Sequence, residues 1–140
     1  MYAVIRIRGI VNVSPRVKKT FELLNLKRAN NMSLWQESPQ MIKMIKAVES
    51  YATFGKINDE MLKEVIEKKG QAFEGKLDTK KVLEEIKKGK TLNEVGLVNC
   101  FRLMPPRKGF ERNGIKKSFS IGGALGNRGG KINDLIKRML

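Results

Sequence analysis

The spacing of apolar and polar positions changes period in a regular order along the chain. Tyr2-Ala3-Val4-Ile5-Arg6-Ile7-Arg8 is rich in β-formers and alternates at its end, with Ile5 and Ile7 on one face and Arg6 and Arg8 on the other. Gly9 closes this strand. Ser14-Pro15 then has the form of a helix start, with Ser as N-cap and Pro at the first helical position, where its missing N–H is not needed. Val17, Phe21 and Leu24 follow at i, i+4 and i+7, one buried stripe. Asn30-Asn31 breaks the chain, and Met32 to Glu37 reads as a second strand. Ser38-Pro39 repeats the helix start, with Met41, Ile42, Ile45 and Val48 as its stripe. Tyr51 to Ile57 reads as a third strand, so residues 1–57 are predicted to be β-α-β-α-β.

The next block turns helical. Asn58 or Asp59 caps a helix bearing Met61, Leu62, Val65 and Ile66 and ended by Gly70. Asp78 caps another bearing Val82, Leu83 and Ile86 and ended by Gly89. Thr91-Leu92-Asn93-Glu94 has capping-box spacing, with Gly96 as a stop. Leu97 to Leu103 is apolar enough for a strand. Pro105-Pro106 forces an extended loop, Lys117 to Ile121 is a short strand candidate, and Gly122 to Gly130 is a glycine-rich loop. Ile132, Leu135, Ile136 and Met139 make a short amphipathic last helix. The predicted class is α+β, in three parts: a β-α-β-α-β core at 1–57, a helical insertion at 58–99, and a Gly/Pro-rich basic tail at 100–140.

Charge follows the same division. The 140 residues carry 29 Lys and Arg against 14 Asp and Glu, a formal net charge of +15. Residues 1–57 hold ten basic and three acidic groups, residues 58–99 nine of each, and residues 100–140 ten against two. Two basic blocks separated by a neutral one point to a surface that meets a polyanion rather than to general solubility. Arg16, Lys18 and Lys19 crowd the first turn of a helix, where cations oppose the helix dipole, so their placement serves a ligand better than it serves the fold.

Other chemistries fall away. There is no histidine, which removes His triads, His metal sites and the commonest general base. A single cysteine, Cys100, cannot form a disulfide framework; it suits a reducing cytoplasm and, within an apolar run, reads as a buried core thiol. No apolar run approaches the ~20 residues of a membrane helix. The run Gly122 to Lys131 invites a phosphate-loop reading, but Leu125 stands where the first glycine is needed and Ile132 where Ser or Thr must follow the Lys. The acidic pairs Asp59-Glu60 and Glu84-Glu85 are adjacent rather than opposed and read as caps and solvated faces. No enzyme activity, metal, cofactor or small-molecule substrate is expected.

With these features in order, the chain resembles the large-subunit ribosomal protein family called L-thirty in bacteria and L-seven in eukaryotes. The resemblance rests on the Arg-rich opening strand, Pro-Arg-Val-Lys-Lys-Thr at 15–20, the Leu26-Lys27-Arg28 turn and the Ser38-Pro39 helix. Gly122-Gly123, Gly126-Asn127-Arg128, Ile132-Asn133 and Leu135-Ile136 add the tail of the longer members. With a tail but no long basic N-terminal arm, the chain looks like the archaeal form. The resemblance implies a three-stranded antiparallel sheet covered by two helices, related to ferredoxin-like folds. It implies a cytoplasmic structural component of the large ribosomal subunit that binds ribosomal RNA beside neighbouring ribosomal proteins, near the 5S RNA. The alternative is a free-standing RNA-binding or RNA-chaperone module. Implied RNA contacts in the core are Arg6, Arg8, Arg16, Lys18, Lys19, Lys27 and Arg28. In the tail they are Arg107, Lys108, Arg112, Lys116, Lys117, Arg128 and Lys131.

Overall fold

A computed structural model describes residues 1–73 and 78–140, and at Lys87 the backbone alone. Five strands run in the order β4-β2-β1-β3-β5: β1 (Tyr2–Arg6), β2 (Asn31–Trp35), β3 (Ala52–Lys56), β4 (Phe101–Arg102) and β5 (Gly126–Asn127). The sheet is mixed. β1 pairs antiparallel with β2 and β3, β4 pairs antiparallel with β2, and β5 pairs parallel with β3. The expected three-stranded sheet is therefore corrected to five strands, because the tail supplies both edges.

Helices α1 (Pro15–Leu23) and α2 (Pro39–Ala47) cover one face. Phe21, Leu24, Met41, Ile45 and Val48 pack there against Val4 and Ala52. Both helices start at Pro, as their sequences require, but only Ser38 caps with its side chain, accepting from the backbone N–H of Met41 at 3.2 Å. The opposite face is covered as well, by α3 (Asp59–Lys69), α4 (Thr79–Lys87) and α5 (Ile132–Met139). Their stripes share one cluster with Ala3, Ile5, Met32 and Leu34. A central strand with apolar neighbours above and below has no wet face, which is why Ala3, Val4 and Ile5 are all fully buried. Gly55 in β3 lets α5 close on the sheet: a β-carbon there would collide with the carbonyl of Gly129 and touch Ile132.

The tail departs most from its pattern. The strand expected over Leu97 to Leu103 is reduced to Phe101–Arg102. Upstream of it the side-chain amide of Asn99 takes the place of a strand, accepting from the Leu34 N–H and donating to the Leu34 carbonyl, both at 2.8 Å. Lys117 to Ile121 is not a strand; Phe119–Ile121 is a 3₁₀ turn, with Ser118 bridged to Leu125. The glycine run contains β5 and a second 3₁₀ turn at Gly129–Lys131. Thr91 to Gly96 forms turns rather than a helix, although the Glu94 carboxylate does accept from the Thr91 N–H at 2.8 Å. Cys100 is half-buried and lines a groove rather than sitting in the core; desolvation pushes its pKa up.

Candidate nucleic-acid interface

The strand registers gather distant residues at one end of the sheet. β1 finishes there beside Ala52, the start of β3, while Asn31, the start of β2, lies opposite Arg102, and Thr53 lies opposite Gly126. The first basic block brings Arg8 and the turn carrying Lys27 and Arg28 to this end. The other block brings Arg102, and Lys117 through its carbonyl, which accepts from the Leu125 N–H at 3.1 Å. The Arg107 N–H donates to the Arg138 carbonyl near the end of α5, which sets Arg107 and Lys108 on the same side. Arg112 and Lys116 are exposed on the loop between them.

Two implied contacts point inward instead. Arg6 is 2 % exposed. Its guanidinium lies 4.1 Å from the centre of the Phe21 ring and donates to the carbonyls of Leu26 at 2.8 Å, Lys27 at 3.2 Å and Arg8 at 3.0 Å. The alternation that set Arg6 on a polar face misread it, because α1 covers that face; burial lowers its pKa. Arg128 is buried as well, 5 % exposed. It donates to Glu111 Oε1 at 2.7 Å, Thr53 Oγ1 at 3.0 Å and the Ala124 carbonyl at 3.1 Å, with Phe119 stacked 4.6 Å away. The hydrogen bond from Arg128 is the main reason the Glu111 carboxyl is held below its usual range, with Arg138 adding a second bond at 3.0 Å.

The remaining residues keep their charge outside. Arg8 is half-buried: it stacks over Tyr51 at 4.8 Å and donates to the Ser50 carbonyl at 3.1 Å. The N–H groups of Ile7 and Arg8 both donate to the Tyr51 carbonyl, a β-bulge that re-aims Arg8 relative to Arg6. Arg16, Lys18 and Lys19 are exposed on α1, whose first turn holds no acid to answer them; Lys19 pairs with Glu22 at 3.4 Å. Lys131 is exposed, and its ammonium lies 5.7 Å from the centre of the Phe119 ring on which Arg128 also stacks. Arg102 was missed by sequence reasoning. Its signal was the alternation Phe101-Arg102-Leu103, buried, exposed, buried.

Residues 2–52, from the first residue of β1 to the first of β3, match the model of the family described as ribosomal protein L30p/L7e. Across nearly the whole chain, the large ribosomal subunit protein uL30 of Methanococcus vannielii is 40 % identical, with 99 % of each chain covered. The chain belongs to this family. The uL30 proteins of Aeropyrum pernix and Nanoarchaeum equitans are 39 % and 38 % identical, each covering 100 % of this chain and 99 % of the relative. The likeness to archaeal uL30 therefore extends through α3, α4 and the tail, well past the span of the family model. Among the described residues no helix is long and apolar enough to cross a membrane, and no group of three His, Cys, Asp or Glu could hold a metal ion.

Proposed function

We propose that this chain is a structural, non-enzymatic component of the cytoplasmic large ribosomal subunit, where it binds ribosomal RNA with one end of its sheet and the tail beside it. The observation that carries the reading is the meeting of two basic blocks, far apart in sequence, around Arg8, Lys27, Arg28, Arg102 and Lys117. Closely packed RNA phosphates repel one another and need fixed counter-charges. Lysine supplies point charges, and arginine supplies bidentate phosphate contacts and stacking. Twelve of the fourteen implied contacts remain available for this, Arg6 and Arg128 being enclosed. Recognition is then mainly of backbone and shape. Placement near the 5S RNA and against neighbouring ribosomal proteins follows from the family resemblance, and crosslinking to 5S RNA in purified subunits tests it.

The RNA-binding reading is tested by salt. With 6–10 phosphate contacts, affinity for a large-subunit RNA transcript should fall by about 10³–10⁵ between ~50 and ~200 mM salt. Replacing Lys18, Lys19, Lys116 and Lys117 by Ala should weaken binding and flatten that dependence. Replacing Lys63, Lys68, Lys80 and Lys81 removes equal charge from the neutral block and should change it much less. Equal losses in the two variants mean attraction to net charge and reject the proposed face.

A further inference from the structure

The α1–β2 turn, β4 and the segment before β4 enclose a groove of about 540 Å³, within the roughly 300–1,000 Å³ of small-ligand pockets. Three cations rim it: Lys27, Arg28 and Arg102, none with an acidic partner among the described residues. Asn31 lines it and is 9 % exposed. Its amide nitrogen donates to Cys100 Sγ at 3.4 Å, which leaves Oδ1 as a fixed acceptor with no partner among the described residues. The Asn93 amide stands on the same wall, also without a partner there. Phe73 completes the lining and belongs to no core cluster: the residue is 62 % exposed, although its backbone N–H is held by the Gly96 carbonyl at 2.9 Å.

Each of these features is costly or idle in an isolated fold. An exposed phenylalanine sets apolar surface in water, the Asn31 amide oxygen on the groove wall has only water to answer it, and three neighbouring cations repel one another. One ligand class answers all three: a base offers a flat face to stack and an edge to hydrogen-bond, and its chain offers phosphates on either side. We propose that the groove holds a single unpaired RNA nucleotide, its base against Phe73, its edge on Asn31 and Asn93, and its flanking phosphates on Lys27, Arg28 and Arg102. A free acceptor at Asn31 favours a base that presents an amino group, so cytosine is preferred to uracil. This rests on the RNA-binding reading above and adds a defined subsite to it.

The test uses the full chain and three fluorescent hexamers: oligocytidylate, oligouridylate and an abasic ribose-phosphate chain of the same charge. The cytidylate should bind best. Phe73→Ala should weaken it by roughly 5- to 150-fold, the worth of one stacked base, and leave the abasic chain unchanged. Asn31→Ala should erase a preference for cytidylate over uridylate of roughly 2- to 12-fold, the worth of one hydrogen bond. Urea midpoints check that the variants fold, and Phe73→Ala decides alone if Asn31→Ala does not. An unchanged ratio of cytidylate to abasic-chain affinity in Phe73→Ala overturns the subsite, as does a hexaglutamate peptide that competes as well as cytidylate. If the subsite fails while the four-lysine variant still flattens the salt dependence on ribosomal RNA, RNA binding stands without it. If that salt dependence is absent, both readings fall.

Discussion

Replacing Glu111 by Ala should loosen the tail from the sheet. Its partner Arg128 has a side chain 2 % exposed, held also by Thr53 in β3 and the Ala124 carbonyl. Removing the carboxylate leaves that guanidinium enclosed without its counter-charge, and breaking a buried pair from one side costs roughly 3–5 kcal/mol. Glu111 keeps 28 % exposure, so water answers part of the loss and the lower end, about 3 kcal/mol, applies. At roughly 4 °C per kcal/mol for a chain of this size, the midpoint of thermal unfolding should drop by about 12 °C. Arg128→Ala should cost at least as much, since it removes three hydrogen bonds and the stack on Phe119. The double variant should cost less than the two singles together by about 1–3 kcal/mol, because no unpaired charge is then left inside. Urea unfolding followed by circular dichroism at pH 7 gives all four corners of this cycle. Single losses below about 0.5 kcal/mol, the size of ordinary surface changes, would refute the reasoning and return Arg128 to the set of free RNA contacts.

The same carboxylate gives a pH signature. Its folded pKa is depressed, so its stabilising contribution is full above the ordinary glutamate value of about 4.3 and is lost as pH falls through the folded value. The unfolding free energy of the wild type should therefore decline more steeply below about pH 5 than that of Glu111→Gln; parallel curves would deny the depression. In the other core cluster, Phe21→Ala should cost roughly 3–5 kcal/mol, since Phe21 is 1 % exposed and lies under Arg6. A denaturation loss below about 1 kcal/mol would contradict the facing of α1.

Much of the first 57 residues was legible because local and global signals agree there. Two Ser-Pro starts, two apolar stripes and three β-rich runs each name an element, and strand limits shift by only a residue or two. The stripes on α3, α4 and α5 were equally plain, but a stripe says that a face is buried and not against what. The partner turned out to be the second face of the sheet, so that face did not stay wet, while Arg6 is enclosed on the first face by α1. The edges were less legible, β4 expected too long and β5 not expected at all, for a different reason. β5 is Gly126-Asn127, a pairing made by backbone with no β-forming side chain to announce it. β4 is short because the side chain of Asn99 takes two backbone bonds of β2, a substitution that no periodicity reveals. The groove was invisible in the chain because Lys27, Phe73 and Arg102 meet only in three dimensions.

Both enclosed cations are arginines, and each stacks on a phenylalanine, Arg6 on Phe21 and Arg128 on Phe119. A planar, weakly hydrated guanidinium with five donors can be buried among carbonyls and rings, whereas a strongly hydrated ammonium cannot at similar cost. What the two arginines hold is as telling as how. Arg6 binds the carbonyls of Leu26 and Lys27, the turn that presents Lys27 and Arg28, and Arg128 ties down the loop that carries Arg112, Lys116 and Lys117. On the RNA-binding reading proposed above, fixing those turns in advance lowers the ordering entropy that binding must overcome. Inner and outer cations should then separate in one experiment. Losing an outer lysine removes about one counterion from the salt dependence and weakens binding most at low salt. Arg6→Met should weaken binding by a similar factor at every salt concentration and leave the slope unchanged, because no phosphate contact is lost. A reduced slope in Arg6→Met would show that its charge reaches the RNA after all.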